Sequence, residues 1–127
     1  MYKLKFHKNL DIKKWNKFSK SQQILMIANE LNRAKNWIIK GDLDEVNNCY
    51  ERAFELLDLT ISLTTRKNLL KELLRFREIF ALQYLNAKNP EDIQKNFMQN
   101  QKLFNVLLSL NKVAQASSPV IITNNKV

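Results

Sequence analysis

The stretch Ile38-Ile39-Lys40-Gly41-Asp42-Leu43-Asp44-Glu45, continuing through Val46, Tyr50 and Ala53 to Asp58, decides the fold. Gly41 is the only glycine in the chain. It stands where an apolar helical pattern stops, the position at which a helix C-terminus takes a residue of positive φ. Asp42 follows as an N-cap. Glu45, three residues on, completes a capping-box pattern. One helix therefore ends at Lys40, the chain turns within two residues, and a second helix runs back antiparallel to the first.

The rest of the chain can be laid out from that corner. The first helix is expected over about Lys20–Lys40, opened by the pair Ser19 and Gln22. Its face is Ile24, Ile27, Ala28, Leu31, Ala34, Trp37 and Ile38. The second is expected over about Leu43–Leu63, with a main row of Leu43, Val46, Tyr50, Ala53, Leu57 and Ile61. Cys49, Leu56 and Leu63 form a second row, so this helix meets more than one neighbour. Thr64 or Thr65 should cap a third helix over about Arg66–Ala87, faced by Leu70, Leu73, Phe76, Phe80 and Tyr84. Asn89 and Pro90 should start a fourth, running to about Ala116, with Glu91 and Asp92 complementing its dipole. Ile93, Phe97, Phe104, Leu107, Leu108 and Val113 give it an apolar side. Its middle (Gln94, Asn96, Gln99, Asn100, Gln101) is so polar that it should be the most exposed helix. Short connections make neighbours antiparallel. The expected fold is all-α: a single-domain, antiparallel up-and-down four-helix bundle over residues 19–116.

The two ends of the chain read differently. Residues 1–18 form a basic N-terminal arm in which Tyr2, Leu4 and Phe6 alternate with lysines in a strand-like period of two. Trp15 and Phe18 should staple this arm onto the bundle. Residues 117–127 form a tail, opened by Ser117-Ser118-Pro119 and β-prone at Val120–Thr123, with disorder expected near its end.

Composition supports helices. One glycine and two prolines leave too few turn residues for an all-β chain of 127 residues. The N-terminus has no apolar core of a secretory signal, and no run of about 18 apolar residues is present to span a membrane. A single cysteine excludes an internal disulfide, which fits the cytoplasm. The formal charge of +9 is uneven. Residues 1–20 hold seven lysines against Asp11 alone, while the remaining 107 residues hold 14 basic and 11 acidic groups.

The chemistry-bearing residues are few. His7 is the only histidine and sits in the arm, so Ser–His–Asp, Cys–His and His-Glu-x-x-His arrangements lack their parts or their setting. No arginine precedes His7, which removes the Arg-x-x-x-x-His pattern of helical nucleases. Cys49 lies within an apolar face and reads as a small buried hydrophobe. No metal, no P-loop and no dinucleotide fingerprint is expected. No cofactor is implied, and a non-enzyme is the expected class, with carboxylate-only chemistry the one enzymatic route left.

The most informative polar residue is Arg77, which continues the row Leu70, Leu73, Phe80, Tyr84 and should point partly into the bundle. A buried guanidinium needs a carboxylate. Glu30, Glu51 and Glu55 are the expected partners, with Arg52, Arg75 and Glu78 extending the network. Two readings stand side by side: an ion-pair network that fixes helix register, or a polar site on the side of the bundle that binds a partner.

Ala34-x-x-Trp37 followed by G-D-L-D-E-V-N-N-C-Y-E-R-A-F-E-L resembles one tetratricopeptide repeat, with no second copy to stack on. Residues 19–110 resemble the small bacterial flagellar export chaperones that bind flagellin's terminal segment. The likeness lies in S-K-S-Q-Q-I-L-M-I, A-K-N-W-I-I-K-G-D-L-D-E-V-N and L-N-A-K-N-P-E-D-I. Met26-Ile27-Ala28-Asn29-Glu30 stands where that family has a tyrosine-rich start to its first helix. The resemblance implies an antiparallel bundle that binds an export substrate through extended apolar surface, and it carries over no binding residues. The leading expectation is thus a cytoplasmic, chaperone-like or adaptor module that binds a protein partner's helix in a groove. A nucleic-acid-associated protein using residues 1–18 is the second reading, and a homodimer formed by surplus apolar positions is the third.

Overall fold

The computed structural model describes residues 10–86 and 91–116. The expected strand at Tyr2–Phe6, His7, the Asn89–Pro90 helix start and the tail from Ser117 lie outside them. Every regular element among the described residues is a helix: α1 (Ile12–Trp15), α2 (Lys20–Lys40), α3 (Leu43–Leu63), α4 (Lys67–Asn86) and α5 (Ile93–Ala116).

The Gly41 corner forms as its sequence requires. Gly41 sits at φ 74°, its N–H bonds Ile38 O, and the Asp42 N–H bonds Trp37 O, which together make a Schellman closure of α2. A Cβ at Gly41 would meet nothing within 4 Å, so the backbone angle alone calls for glycine here. The capping box at Ser19 and Gln22 is complete. At α3 the Asp42 carboxylate accepts from the Glu45 N–H at 3.2 Å, which is the N-cap half of the expected capping box.

Two boundaries differ from expectation. Thr64 does not open α4. Its N–H closes α3 on Ile61 O and its hydroxyl donates to Thr60 O, while Arg66 O accepts the first bond of α4 from Leu70. The last helix starts later than expected: Ile93 is its first residue, and Asp92 O accepts from the Asn96 N–H. Glu91 and Asp92 therefore precede the helix, still beside its positive end.

The four long helices touch in a cycle: α2 against α3, α3 against α4, α4 against α5, and α5 back on α2. The closest packing is of α2 against α3 and α5, where buried Ala28, Ala34, Ala53 and Ala114 let backbones approach. The buried face of α4 is Leu69, Leu73, Phe76 and Phe80, with no small residue, and α4 packs more openly. Aromatic rings fill the α3–α4 seam, with Phe54 stacked on Phe80 at 4.1 Å and Tyr50 edge-on to Phe80 at 5.2 Å.

The short helix α1 lies inside the stretch read as an arm. Asp11 caps it, and Trp15 is fully buried in the common core with its indole N–H donated to Thr60 on α3 at 2.9 Å. Buried Gln23 fixes the turn between α1 and α2 by donating to the carbonyls of Trp15 and Phe18. Trp15 thus staples the arm as expected, whereas Phe18 remains 38% exposed and meets Trp15 edge-on.

The polar run of α5 is the main correction. Its buried positions are Asn96, Asn100, Leu103, Leu107, Leu110 and Ala114, spaced four and three residues apart as in a coiled-coil seam. The predicted apolar side was rotated from this one: Ile93 and Leu108 are exposed. Asn100 bridges three helices. Its amide donates to Leu31 O on α2 at 2.9 Å, and its carbonyl accepts from the Tyr50 hydroxyl on α3 at 2.8 Å. Two residues of that polar middle, Asn96 and Asn100, therefore face inward, while Gln94 is exposed and Gln99 and Gln101 are half-buried.

Candidate functional site

The charged residues singled out in the sequence fall into two separate clusters. On the α2–α3 seam, Glu30 is buried and accepts from Arg52 Nε at 3.1 Å, with Arg33 at 3.5 Å. Arg52 also donates through Nη2 to Cys49 Sγ at 3.2 Å. Burial pushes the Cys49 thiol up, which keeps it in the neutral form and makes it a poor nucleophile.

On the α3–α4 seam, Arg77 meets Asp58, a partner the sequence reading did not consider. Nε donates to Oδ1 at 2.6 Å and Nη2 to Oδ2 at 3.3 Å, a two-pronged contact. The guanidinium also lies 5.2 Å from the Phe54 ring centre. The Arg77 side chain is 42% exposed, so it edges the seam and does not enter the core. Glu51 accepts from the Tyr84 hydroxyl at 3.0 Å, and burial followed by this bond pushes the Tyr84 phenol up. Glu51 and Asp58 are seven residues apart on α3, and Tyr84 and Arg77 are seven apart on α4 in reverse order. The two contacts are rungs of one antiparallel ladder, with the Phe54–Phe80 stack between them. Glu55 is buried on α3, while Arg75 and Glu78 are exposed on α4.

This arrangement fits a register device. Because the Arg77–Asp58 pair is partly open to solvent, Arg77→Ala should lower stability by only about 0.2–1 kcal/mol. Urea unfolding would measure it, and a loss well above that range would mean that Arg77 carries more of the fold than its exposure implies.

The larger feature is a groove between α4 and α5. Among the described residues, eight of the twelve exposed large apolar side chains lie on these two helices, including Ile79, Leu82, Met98 and Val106. One section has a cavity volume of about 450 Å³, is floored by Ile79, Leu82, Leu103 and Val106, and is edged by Lys95 and Lys102. A second section of about 490 Å³ adjoins it at Val106 and runs past Lys71 and Glu72 to Val113. Along α4 the groove reaches from Asn68 to Asn86, about 27 Å at the helical rise per residue. Sequence reasoning missed it because the groove comes from the spacing of two helices. Of the surplus apolar positions Leu74, Ile79 and Leu85 flanking the α4 face, only Ile79 lines the groove.

No group of three or more His, Cys, Asp or Glu side chains converges among the described residues. No described helix is long and apolar enough to cross a membrane. The chain matches no protein-family model, no curated protein and no solved structure.

Proposed function

We propose that the four long helices make an antiparallel up-and-down bundle that works as a protein-interaction module, taking a partner's amphipathic helix in the α4–α5 groove. The observation that carries this reading is the groove itself. Its two sections meet at Val106, the first is floored mainly by exposed apolar side chains, and together they are long enough for about five helical turns and open because α4 packs less closely than α2 does. Three lysines on its edges against Glu72 alone favour a helix that flanks its apolar stripe with acidic residues. The resemblance of residues 19–110 to flagellar export chaperones supports an adaptor or chaperone-like role for such a groove, without naming the partner.

The test uses the paired substitutions Leu82→Glu and Val106→Glu, both at exposed positions. Melting should stay close to that of the unaltered chain, since both side chains already face solvent. A protein partner retained from the native host by the unaltered chain should be lost by the variant. Light scattering separates the competing occupant: a dimer that the same substitutions convert to monomer would assign the groove to a second copy of this chain. Retention of the same partner by the variant would remove the groove from the reading.

A further inference from the structure

We propose that the end of the molecule formed by α1 and the starts of α2 and α4 is a phosphate-binding surface for single-stranded nucleic acid. It is separate from the α4–α5 groove. Lys20 and Arg66 anchor it. Lys20 is half-buried, and its ammonium donates to the neutral Gln23 side-chain oxygen at 3.1 Å. Arg66 is half-buried too, and its Nη2 is sealed from solvent with no acceptor. Burial, and then the charge of Arg66, pull the Lys20 ammonium below its ordinary pKa. Two like charges brought together and partly dehydrated without a carboxylate cost stability. A bound oxyanion would offset that cost.

The surroundings run the same way. Neither α2 nor α4 has an acidic residue in its first turn, and they open on Lys20 and Lys67. This is the reverse of what the helix dipole favours. By contrast, α3 follows the favourable rule with Asp44 and Glu45. Lys13, Lys14 and Lys17 stand on and just after the single turn of α1, whose position is fixed by buried Trp15. This spread of cations exceeds what one small anion can reach, so the fitting ligand is a chain of phosphates. The half-exposed Phe18 ring beside them offers a face on which a base can stack. An anionic membrane is the less suitable partner, because α1 is one turn long and has no extended apolar face to bury.

The probe is a fluorescently labelled oligothymidine of about 20 nucleotides, followed by anisotropy over a salt series. The unaltered chain should bind it with an affinity that falls steeply as salt rises. Lys20→Gln with Arg66→Gln should weaken binding roughly tenfold at low salt and flatten the salt slope by about 1.4, the loss of two single-strand phosphate contacts. Leu82→Glu with Val106→Glu should bind as the unaltered chain does. If Arg66→Gln lowers the helical signal, Lys20→Gln alone decides, with half the change in slope. Three results would overturn the proposal: no binding by the unaltered chain, equal binding by the Lys20 variants, or binding to phosphatidylserine vesicles in place of the oligonucleotide.

Discussion

Trp15→Ala should lower the stability of the fold by about 3–5 kcal/mol, the range for removing a large aromatic ring from a core. Trp15 is the largest side chain with no exposed surface, and it comes from a segment otherwise made of exposed residues. Its ring closes the core at the end where α3 finishes. Its N–H is satisfied by the Thr60 hydroxyl, which in turn donates to Leu56 O at 2.9 Å. Alanine would leave a cavity and unseat α1. Gln23, whose amide is held by the Trp15 and Phe18 carbonyls, would then be buried beside a mobile partner. Against a typical total of about 5–15 kcal/mol, such a loss takes the chain close to unfolding at ordinary temperature. Trp15→Phe keeps most of the packing and forfeits the indole bond, so about 1–2 kcal/mol is expected. Urea unfolding followed by circular dichroism reads both. An alanine variant that loses less than about 1 kcal/mol would mean that α1 is an appendage.

The contrast between Trp15 and the Gly41 corner explains what the sequence could reveal. The corner is specified by neighbours in the chain: a positive-φ residue, an N-cap, and apolar spacing on both sides. Local rules therefore place α2 and α3 at Lys20–Lys40 and Leu43–Leu63. Trp15 could be read as a staple because a tryptophan in a polar segment has few other fates. Its partner Thr60, 45 residues away, depends on how α1 lies across α3, which no local pattern encodes.

Arg77 shows the same limit within a helix. Extending the row Leu70, Leu73, Phe80, Tyr84 puts it near the core. The buried row is instead Leu69, Leu73, Phe76, Phe80, and Arg77 falls one position to its side. That small rotation moves the guanidinium to the edge of the seam. The partner is then chosen by the register of α3 against α4, which brings up Asp58. The α4–α5 groove lies one step further from the sequence. It depends on the separation of two helices, and that separation follows from alanines on α2, α3 and α5 holding those three together while α4 stands on aromatic rings.

Asn100→Ala should cost about 2–4 kcal/mol, which is large for an asparagine in a stretch that reads as solvent-facing. The side chain is 1% exposed, and both ends of its amide are used, by Leu31 O and by the Tyr50 hydroxyl. Burial pushes the Tyr50 phenol well up, so it stays protonated and remains a donor. Removing its acceptor leaves a buried hydroxyl unpaired, and that desolvation penalty should outweigh the value of the bond itself. Asn100→Leu, which fills the space, should therefore still destabilise by about 1–3 kcal/mol. Adding Tyr50→Phe removes the orphaned hydroxyl as well, and the double variant should recover at least half of that loss. The double-mutant cycle then gives a coupling of about 1 kcal/mol or more, with strictly additive effects the outcome that would break the argument. The recovered stability should come with a looser structure. An asparagine in an apolar seam fixes register because only one alignment of α5 satisfies it, and Asn100 ties that alignment to α2 and α3 together. Amide exchange in α5 should accordingly quicken in the double variant even where its urea midpoint approaches that of the unaltered chain.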